Sequence, residues 1–263
     1  MIVFTDQDLN DLRTAKLILE NWGIAAKITN IIGKPIEKGI ELLPANWQEV
    51  VSDSTKKALE IALDGALLTL DKGVRPPAQN ILHTFTVIAS GAGGGAFGLP
   101  ALAIELPIST VVMLRSIADI ARSQGEQLEF PIARLACLEV FALGGRSRKD
   151  DSSESAYYAV RVALAKAVSE AAEFIAERGL AKEGAPAIVR LITQIAERFG
   201  INVYEKVAAQ AIPVLGAVGG ALINWVFIDH YQDMARGHFT LRRLERKYGA
   251  EAVKKEYLKL PNK

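Results

Sequence analysis

The chain has 263 residues, of which 50% are hydrophobic and 23% charged, with a formal net charge of +1 and a mean hydropathy of +0.17. This composition excludes a disordered chain, which has too few apolar residues to form a core. The near-neutral charge gives no indication of a nucleic-acid-binding protein. We therefore expect a globular protein that does not bind nucleic acid and lies at the apolar end of the soluble range.

The length allows one large domain or two small ones, and no linker in the sequence requires two. We predict a single domain over residues 1–263, with a core from about 10 to 248 and a basic C-terminal tail over 249–263. The one cysteine, Cys137, allows no intramolecular disulfide, and the N-terminus lacks the apolar segment of a secretory signal. Both features favour the cytoplasm.

Apolar residues recur three and four positions apart along most of the chain, which is typical of amphipathic α-helices. The pattern predicts helices near 6–22, 28–43, 54–72, 155–178 and 186–199. Pro35 should interrupt the second helix and Pro44 should end it. Gly179 and Gly200 should end the last two helices, and the polar segment 146–154 is the main predicted loop. No stretch shows sustained β alternation, so the fold class is all-α, a single multi-helix bundle.

Two segments without a formal charge, residues 76–104 and 207–228, do not fit an ordinary amphipathic helix. Each reaches the ~20 residues that span a bilayer core. Glycines within them allow close approach of two helices, and we predict two apolar helical hairpins packed at the centre of the bundle. The glycines assigned to this packing or to lipid contact are Gly91, Gly94, Gly95, Gly98, Gly216, Gly219 and Gly220. A buried core, reversible membrane insertion and transmembrane helices all remain open interpretations, although Pro100 and Pro213 argue against straight spans.

The charge is concentrated at the C-terminal end. Residues 236–263 contain nine lysines and arginines against three glutamates, a local charge of +6. Such a segment is either a solvated helix face or a surface for anionic lipid, to which each basic residue contributes roughly 1 kcal/mol. In the second interpretation, Arg242, Arg243, Arg246 and Lys247 contact lipid headgroups.

No strong catalytic or cofactor motif occurs. The glycine runs lack the Gly-Lys-Ser/Thr ending of a phosphate loop. Neither a Gly-x-Ser-x-Gly elbow nor a His-Glu-x-x-His zinc helix is present. Cys137 lies in an apolar run and is interpreted as a core residue. We therefore predict no catalytic residue, no cofactor and no metal.

The densest polar cluster consists of Asp229, His230, Asp233, Arg236 and His238. On a helix, Asp229 and Asp233 share a face, with Arg236 one turn beyond. These side chains could hold a metal with one of the histidines, or position an acid and a base. The alternative is an ordinary ion pair between Asp233 and Arg236 where an apolar helix emerges into water.

Glu105 is the second unusual acid, because it lies between apolar residues and needs a partner or a raised pKa. Arg115 and Arg122 are the candidate partners, and a structural ion pair is favoured over a catalytic role. The segments 118–122 and 232–236 resemble each other, with Asp119 in the first matching Asp233 in the second. They form a weak internal repeat.

Several segments together resemble the EcsC family. They are Gly93–Pro100, Glu105–Pro107, Arg115–Ala118, Leu138–Gly144, Ile212–Ala217 and Met234–Phe239. The similarity extends from the helix near residue 10 to the helix that ends near 248. The family is named for a bacterial gene beside an ABC transporter, and the resemblance implies a bacterial, membrane-related role linked to transport or secretion. It implies no catalytic residues.

The leading functional hypothesis is a non-enzymatic accessory protein at the cytoplasmic face of the cell membrane, with lipid and a membrane protein as its partners. One alternative is a soluble carrier of a lipid or other hydrophobic ligand, or a hydrolase with an apolar pocket. A second alternative is an effector that inserts its apolar hairpins into bilayers.

Overall fold

The computed structural model describes residues 3–20, 23–33, 36–69, 98–144, 155–178, 185–212 and 216–261. These residues form ten α-helices and one short 3-10 helix, and they contain no strand. The helices are α1 (Asp6–Leu19), α2 (Ile24–Ile32), α3 (Glu37–Ile40), α4 (Trp47–Thr69), α5 (Gly98–Ser123), α6 (Pro131–Glu139), the 3-10 helix Val140–Ala142, α7 (Ala156–Arg178), α8 (Pro186–Gln210), α9 (Gly216–Tyr248) and α10 (Ala250–Lys259). The predicted all-α fold is confirmed.

The 33-residue helix α9 is the centre of the bundle. It contacts α1, α2, α5, α8 and α10, while α4 packs against α5 and α8, and α7 against α6 and α8. An aromatic cluster fills the space between α8, α9 and the 3-10 helix. Phe141 lies 4.9 Å from Phe199 and 5.3 Å from Tyr231, measured between ring centroids. Burial of this apolar face is the main force that holds the helices together.

Most helix boundaries lie near the predicted ones, with two clear exceptions. Helix α4 begins at Trp47, seven residues before the predicted start at 54. The helix predicted over 155–178 is Ala156–Arg178, and α2 and α3 lie on either side of Pro35. The prediction that Gly200 ends a helix is wrong, because α8 continues to Gln210. Glycine destabilises a helix by only ~1 kcal/mol relative to alanine. The helical turns after Gly200 bury Val203 and Val207, which compensates for this cost. The predicted loop 146–154 lies outside the described residues.

The structure describes the two uncharged segments to different extents. Most of segment 76–104 lies outside the described residues, and α5 begins near its end, at Gly98. Segment 207–228 is divided between two helices, since α8 ends at Gln210 and α9 begins at Gly216. Among the helices described, none is long and apolar enough to cross a membrane.

The C-terminal segment 249–263 contains a packed helix. In α10, Val253 and Tyr257 are fully buried. Lys16, itself 2% exposed, donates hydrogen bonds to the carbonyl oxygens of Tyr257 (3.0 Å) and Leu260 (2.6 Å). The last carbonyls of a helix have no partner in a further helical turn, and that of Tyr257 also accepts a hydrogen bond from the N–H of Leu260 at 3.2 Å. The lysine on α1 thus caps α10 and fixes it to the bundle.

Candidate functional site

The predicted polar cluster on α9 does not form one site. Asp233 accepts hydrogen bonds from Lys27 of α2 at 3.0 Å and from Arg236 at 2.8 Å. Asp119 and Arg122 form the same i,i+3 pair at 2.9 Å on α5. The structure therefore places Asp233 and Arg236 in an ion-pair network that joins α2 to α9.

Neither histidine of the cluster forms a hydrogen bond with Asp233 among the described residues, although the charge of Asp233 acts on His230 and raises its pKa against the other effects. His230 is fully buried against Gly144, and burial, with the charge of Lys27, lowers its pKa to about 3. His238 is also fully buried, and its Nδ1 lies 3.0 Å from the hydroxyl of Tyr157. Asp229 is half-buried. Within the described part of the chain, no three His, Cys, Asp or Glu side chains are arranged to hold a metal ion.

Glu105 is paired, but its partner is neither of the arginines that the sequence suggested. Its Oε1 lies 2.6 Å from Nζ of Lys206, a residue of α8 that is 1% exposed. Arg115 and Arg122 lie 10 and 17 residues further along α5, which is about 15 and 25 Å along the helix axis. The partner has to come from a neighbouring helix.

Each basic residue that was predicted to contact lipid headgroups forms an ion pair within the chain. The pairs are Arg242–Glu126 at 2.9 Å, Arg246–Glu126, Arg243–Asp11 at 2.6 Å and Lys247–Asp8 at 2.6 Å. Hydrogen bonds from Lys247, Thr5 and Tyr248 lower the pKa of Asp8. These pairs attach the end of α9 to α1 and to the loop after α5.

Of the glycines singled out in the sequence, Gly91, Gly94 and Gly95 lie outside the described residues. Gly98 begins α5, and Gly216 and Gly219 lie in the first turns of α9. Among the described residues, no atom lies within 4 Å of the position that a Cβ atom at Gly220 would take. The close helix packing expected of these glycines stays a prediction.

The first part of α9, residues 216–228, carries no charge and has an exposed apolar face. Leu222 is 37% exposed and Trp225 is 58% exposed. Being three residues apart, these side chains share one face of the helix. Ile223 and Val226, on the side of the helix that packs against the bundle, are 1% and 3% exposed. We call the exposed residues Ala221, Leu222 and Trp225 the uncharged face of α9.

A cleft of about 330 Å³ opens between α6, α7, α9 and α10. The residues that line it are Ile132, Glu139, Tyr158, Arg161, Val162, Ala165, Val168, Ser169, Arg242, Glu245, Ala250, Glu251 and Lys254. Two arginines of its wall are neutralised by carboxylates. Arg161 donates to both carboxylate oxygens of Glu245, at 2.6 and 3.1 Å, and Arg242 does the same to Glu126.

Glu139 differs from the other acids of this cleft. It is 8% exposed, and no hydrogen bond or ion pair to its carboxyl group occurs among the described residues. Burial raises the pKa of Glu139 to about 7, against the lowering effect of the charges on Arg161 and Arg242. A buried carboxyl group without a partner, facing a cleft, is a candidate functional group.

The model of the EcsC protein family matches residues 6–244, which is most of the chain. The chain belongs to the EcsC family. No curated protein and no solved structure is significantly similar to it. The resemblance predicted from the sequence is thus confirmed.

In this EcsC protein, the cleft carboxyl Glu139 was not among the residues selected from sequence. It lies in the apolar segment Leu138–Gly144, which served only to identify the family. The signal that singled out Glu105, one acid in an apolar run, was present here too. Selecting every acidic residue that lies within an apolar segment would have included Glu139.

Proposed function

We propose that this EcsC protein is a non-enzymatic accessory protein that binds reversibly to the cytoplasmic face of the cell membrane. The observation that carries the proposal is the uncharged face of α9, with Trp225 58% exposed. Tryptophan is enriched where proteins meet the membrane–water interface, because its ring is apolar and its N–H is polar. Thirteen consecutive residues without a charge, 216–228, allow this part of the helix to approach lipid without desolvating an ion.

The size of the exposed face indicates weak, reversible binding. Transferring the exposed parts of Leu222 and Trp225 from water into lipid contributes on the order of 3–5 kcal/mol, at ~25 cal/mol per Å². A single acyl chain gives comparable, marginal binding. Lasting attachment therefore requires a second contact, and we assign that contact to a membrane-protein partner.

The basic end of α9 makes only a small contribution in this proposal. Arg242 and Arg243 are already paired with carboxylates of the chain, so a lipid phosphate would have to compete for them. Apolar binding is insensitive to screening, whereas binding through surface charges weakens as salt rises. We therefore expect vesicle binding to change little between low and physiological salt.

Replacing Trp225 by aspartate should reduce vesicle binding at least tenfold, because it removes the largest exposed apolar group and introduces a charge that resists transfer from water. The measurement is co-sedimentation with vesicles of phosphatidylcholine and phosphatidylglycerol. Phe130→Asp is the matched control, since Phe130 is 52% exposed and precedes α6 at the N-cap position, where aspartate is favourable. Equal binding by both variants and the unmodified protein would contradict the proposal.

A further inference from the structure

The cleft between α6, α7, α9 and α10 lies far from the uncharged face of α9. It includes Arg242 and Glu245 of α9, which are 17 and 20 residues beyond Trp225. This separation corresponds to about 25–30 Å along the helix. A ligand in the cleft would thus occupy a site separate from the proposed membrane contact.

The charges around the cleft determine which ligands can enter it. Arg161 and Arg242 each donate two N–H groups to a carboxylate. These N–H groups are therefore not available to an anionic ligand. Besides Glu245, the partner of Arg161, the acidic side chains Glu139 and Glu251 line the same cleft and disfavour an anion. The two arginines form ion pairs and Lys254 lies against the ring of Tyr158, whereas the carboxyl group of Glu139 has no hydrogen bond or ion pair among the described residues.

The carboxyl group of Glu139 lies near the charges of Arg161 and Arg242, but it has no direct hydrogen bond or ion pair among the described residues. A cation or a strong donor that bonds directly to it offsets the cost of its burial. The cleft also contains groups suited to the remainder of such a ligand. Ile132 and Val162 are 44% and 69% exposed at its edge. The ring of Tyr158 contacts two cations of the chain, since Nζ of Lys254 lies 5.7 Å and the guanidinium carbon of Arg161 lies 5.9 Å from its centroid. Aromatic faces attract cations in this arrangement.

We propose that the cleft binds a small molecule with a protonated amine and an apolar chain. The amine forms an ion pair with Glu139, and the chain packs against Ile132 and Val162. A volume of about 330 Å³ lies within the usual range for small-molecule sites.

Saturation-transfer NMR with three probes of similar size tests the charge preference. We expect butylammonium to bind at about 10 mM, and sodium butyrate and 1-butanol to bind more weakly or not at all. Glu139→Gln should weaken butylammonium binding at least tenfold, whereas Glu251→Gln, the same change at another acid of the cleft, should alter it less than twofold. Binding of butyrate in preference to butylammonium, or no binding of any probe, would overturn the proposal.

The unmodified protein provides an independent test through pH. The groups that face Glu139 are Arg161 of α7 and Arg242 and Glu245 of α9, and the ion-paired partners remain charged near neutrality. Between pH 6 and pH 8, ionisation of a carboxyl group with a pKa of about 7 rises from about a tenth to about nine-tenths. Butylammonium affinity should rise about tenfold over this interval. Equal affinity at both pH values would overturn the proposal, even if Glu139→Gln failed to fold.

Discussion

Replacing Lys206 by methionine is expected to lower the free energy of unfolding by about 3 kcal/mol. Lys206 is 1% exposed, and its Nζ lies 2.6 Å from Glu105 and 4.9 Å from the ring centroid of Phe227. Methionine fills a similar volume but leaves the carboxylate without a partner, and breaking a buried pair in this way costs roughly 3–5 kcal/mol. We expect a cost at the lower end of this range, because 14% of the side chain of Glu105 remains exposed to water.

Chemical denaturation followed by circular dichroism measures this loss. The matched control is Lys166→Met, which removes the same side chain from an i,i+4 pair with Glu170 at 3.8 Å. The side chain of Lys166 is 85% exposed. Such a pair contributes roughly 0.3–0.5 kcal/mol. Adding Glu105→Gln to Lys206→Met should recover part of the lost stability, because it removes the uncompensated charge. Equal stability of the two single variants would show that the buried pair does not hold α5 against α8.

Replacing Gly39 by alanine is expected to cost about 3 kcal/mol and to displace α3 from α8. A Cβ atom at Gly39 would overlap the carbonyl oxygen of Ala208 and lie 2.6 Å from its carbonyl carbon. Both are backbone atoms near the end of α8, so no side-chain rotation relieves the overlap. Overpacking of this kind typically costs about 1–3 kcal/mol, and the upper end applies because backbone must move.

Gly220→Ala is the control for Gly39→Ala. Gly220 lies within α9, and an added Cβ there would have no atom of the described residues within 4 Å. Alanine is favoured over glycine in a helix by up to about 1 kcal/mol, so this variant should be slightly more stable than the unmodified protein. Thermal unfolding of both variants checks the expected opposite signs. A Gly39→Ala protein with unchanged melting temperature would contradict the packing of α3 on α8.

The helices were predictable from the sequence because each one depends on the spacing of apolar residues within its own segment. The apolar stripe from Tyr157 to Ile175 set the extent of α7, and Gly179 after it marked the end. The prediction at Gly200 was wrong for a physical reason. One glycine destabilises a helix by less free energy than the burial of the later turns of α8 contributes. Sequence alone cannot weigh that tertiary gain against the local cost.

The sites were not predictable to the same extent, because their residues meet only in three dimensions. Helical spacing showed that Glu105 needed a partner, but Lys206 is 101 positions away. The cleft around Glu139 is assembled from α6, α7, α9 and α10, whose contacts no local pattern specifies. For the same reason, the basic residues of α9 looked like a lipid-binding surface until their partners Asp8, Asp11 and Glu126 were located.

The uncharged face of α9 was anticipated only as part of a longer apolar segment. The sequence indicated that residues 207–228 had to be shielded from water, and burial and lipid contact both remained open. The structure divides the segment, with Val226 buried and Trp225 exposed. This division makes Trp225 the position at which membrane contact can be tested.

Fluorescence of Trp225 in the presence of vesicles whose acyl chains carry bromine tests the membrane proposal most directly. Bromine quenches only a tryptophan that reaches the lipid. The chain has two further tryptophans, Trp22 and Trp47, and a Trp225→Phe variant, which keeps both, serves as the reference. We predict quenching in the unmodified protein that the variant lacks. Emission that stays the same with brominated and ordinary vesicles would contradict contact between α9 and the bilayer.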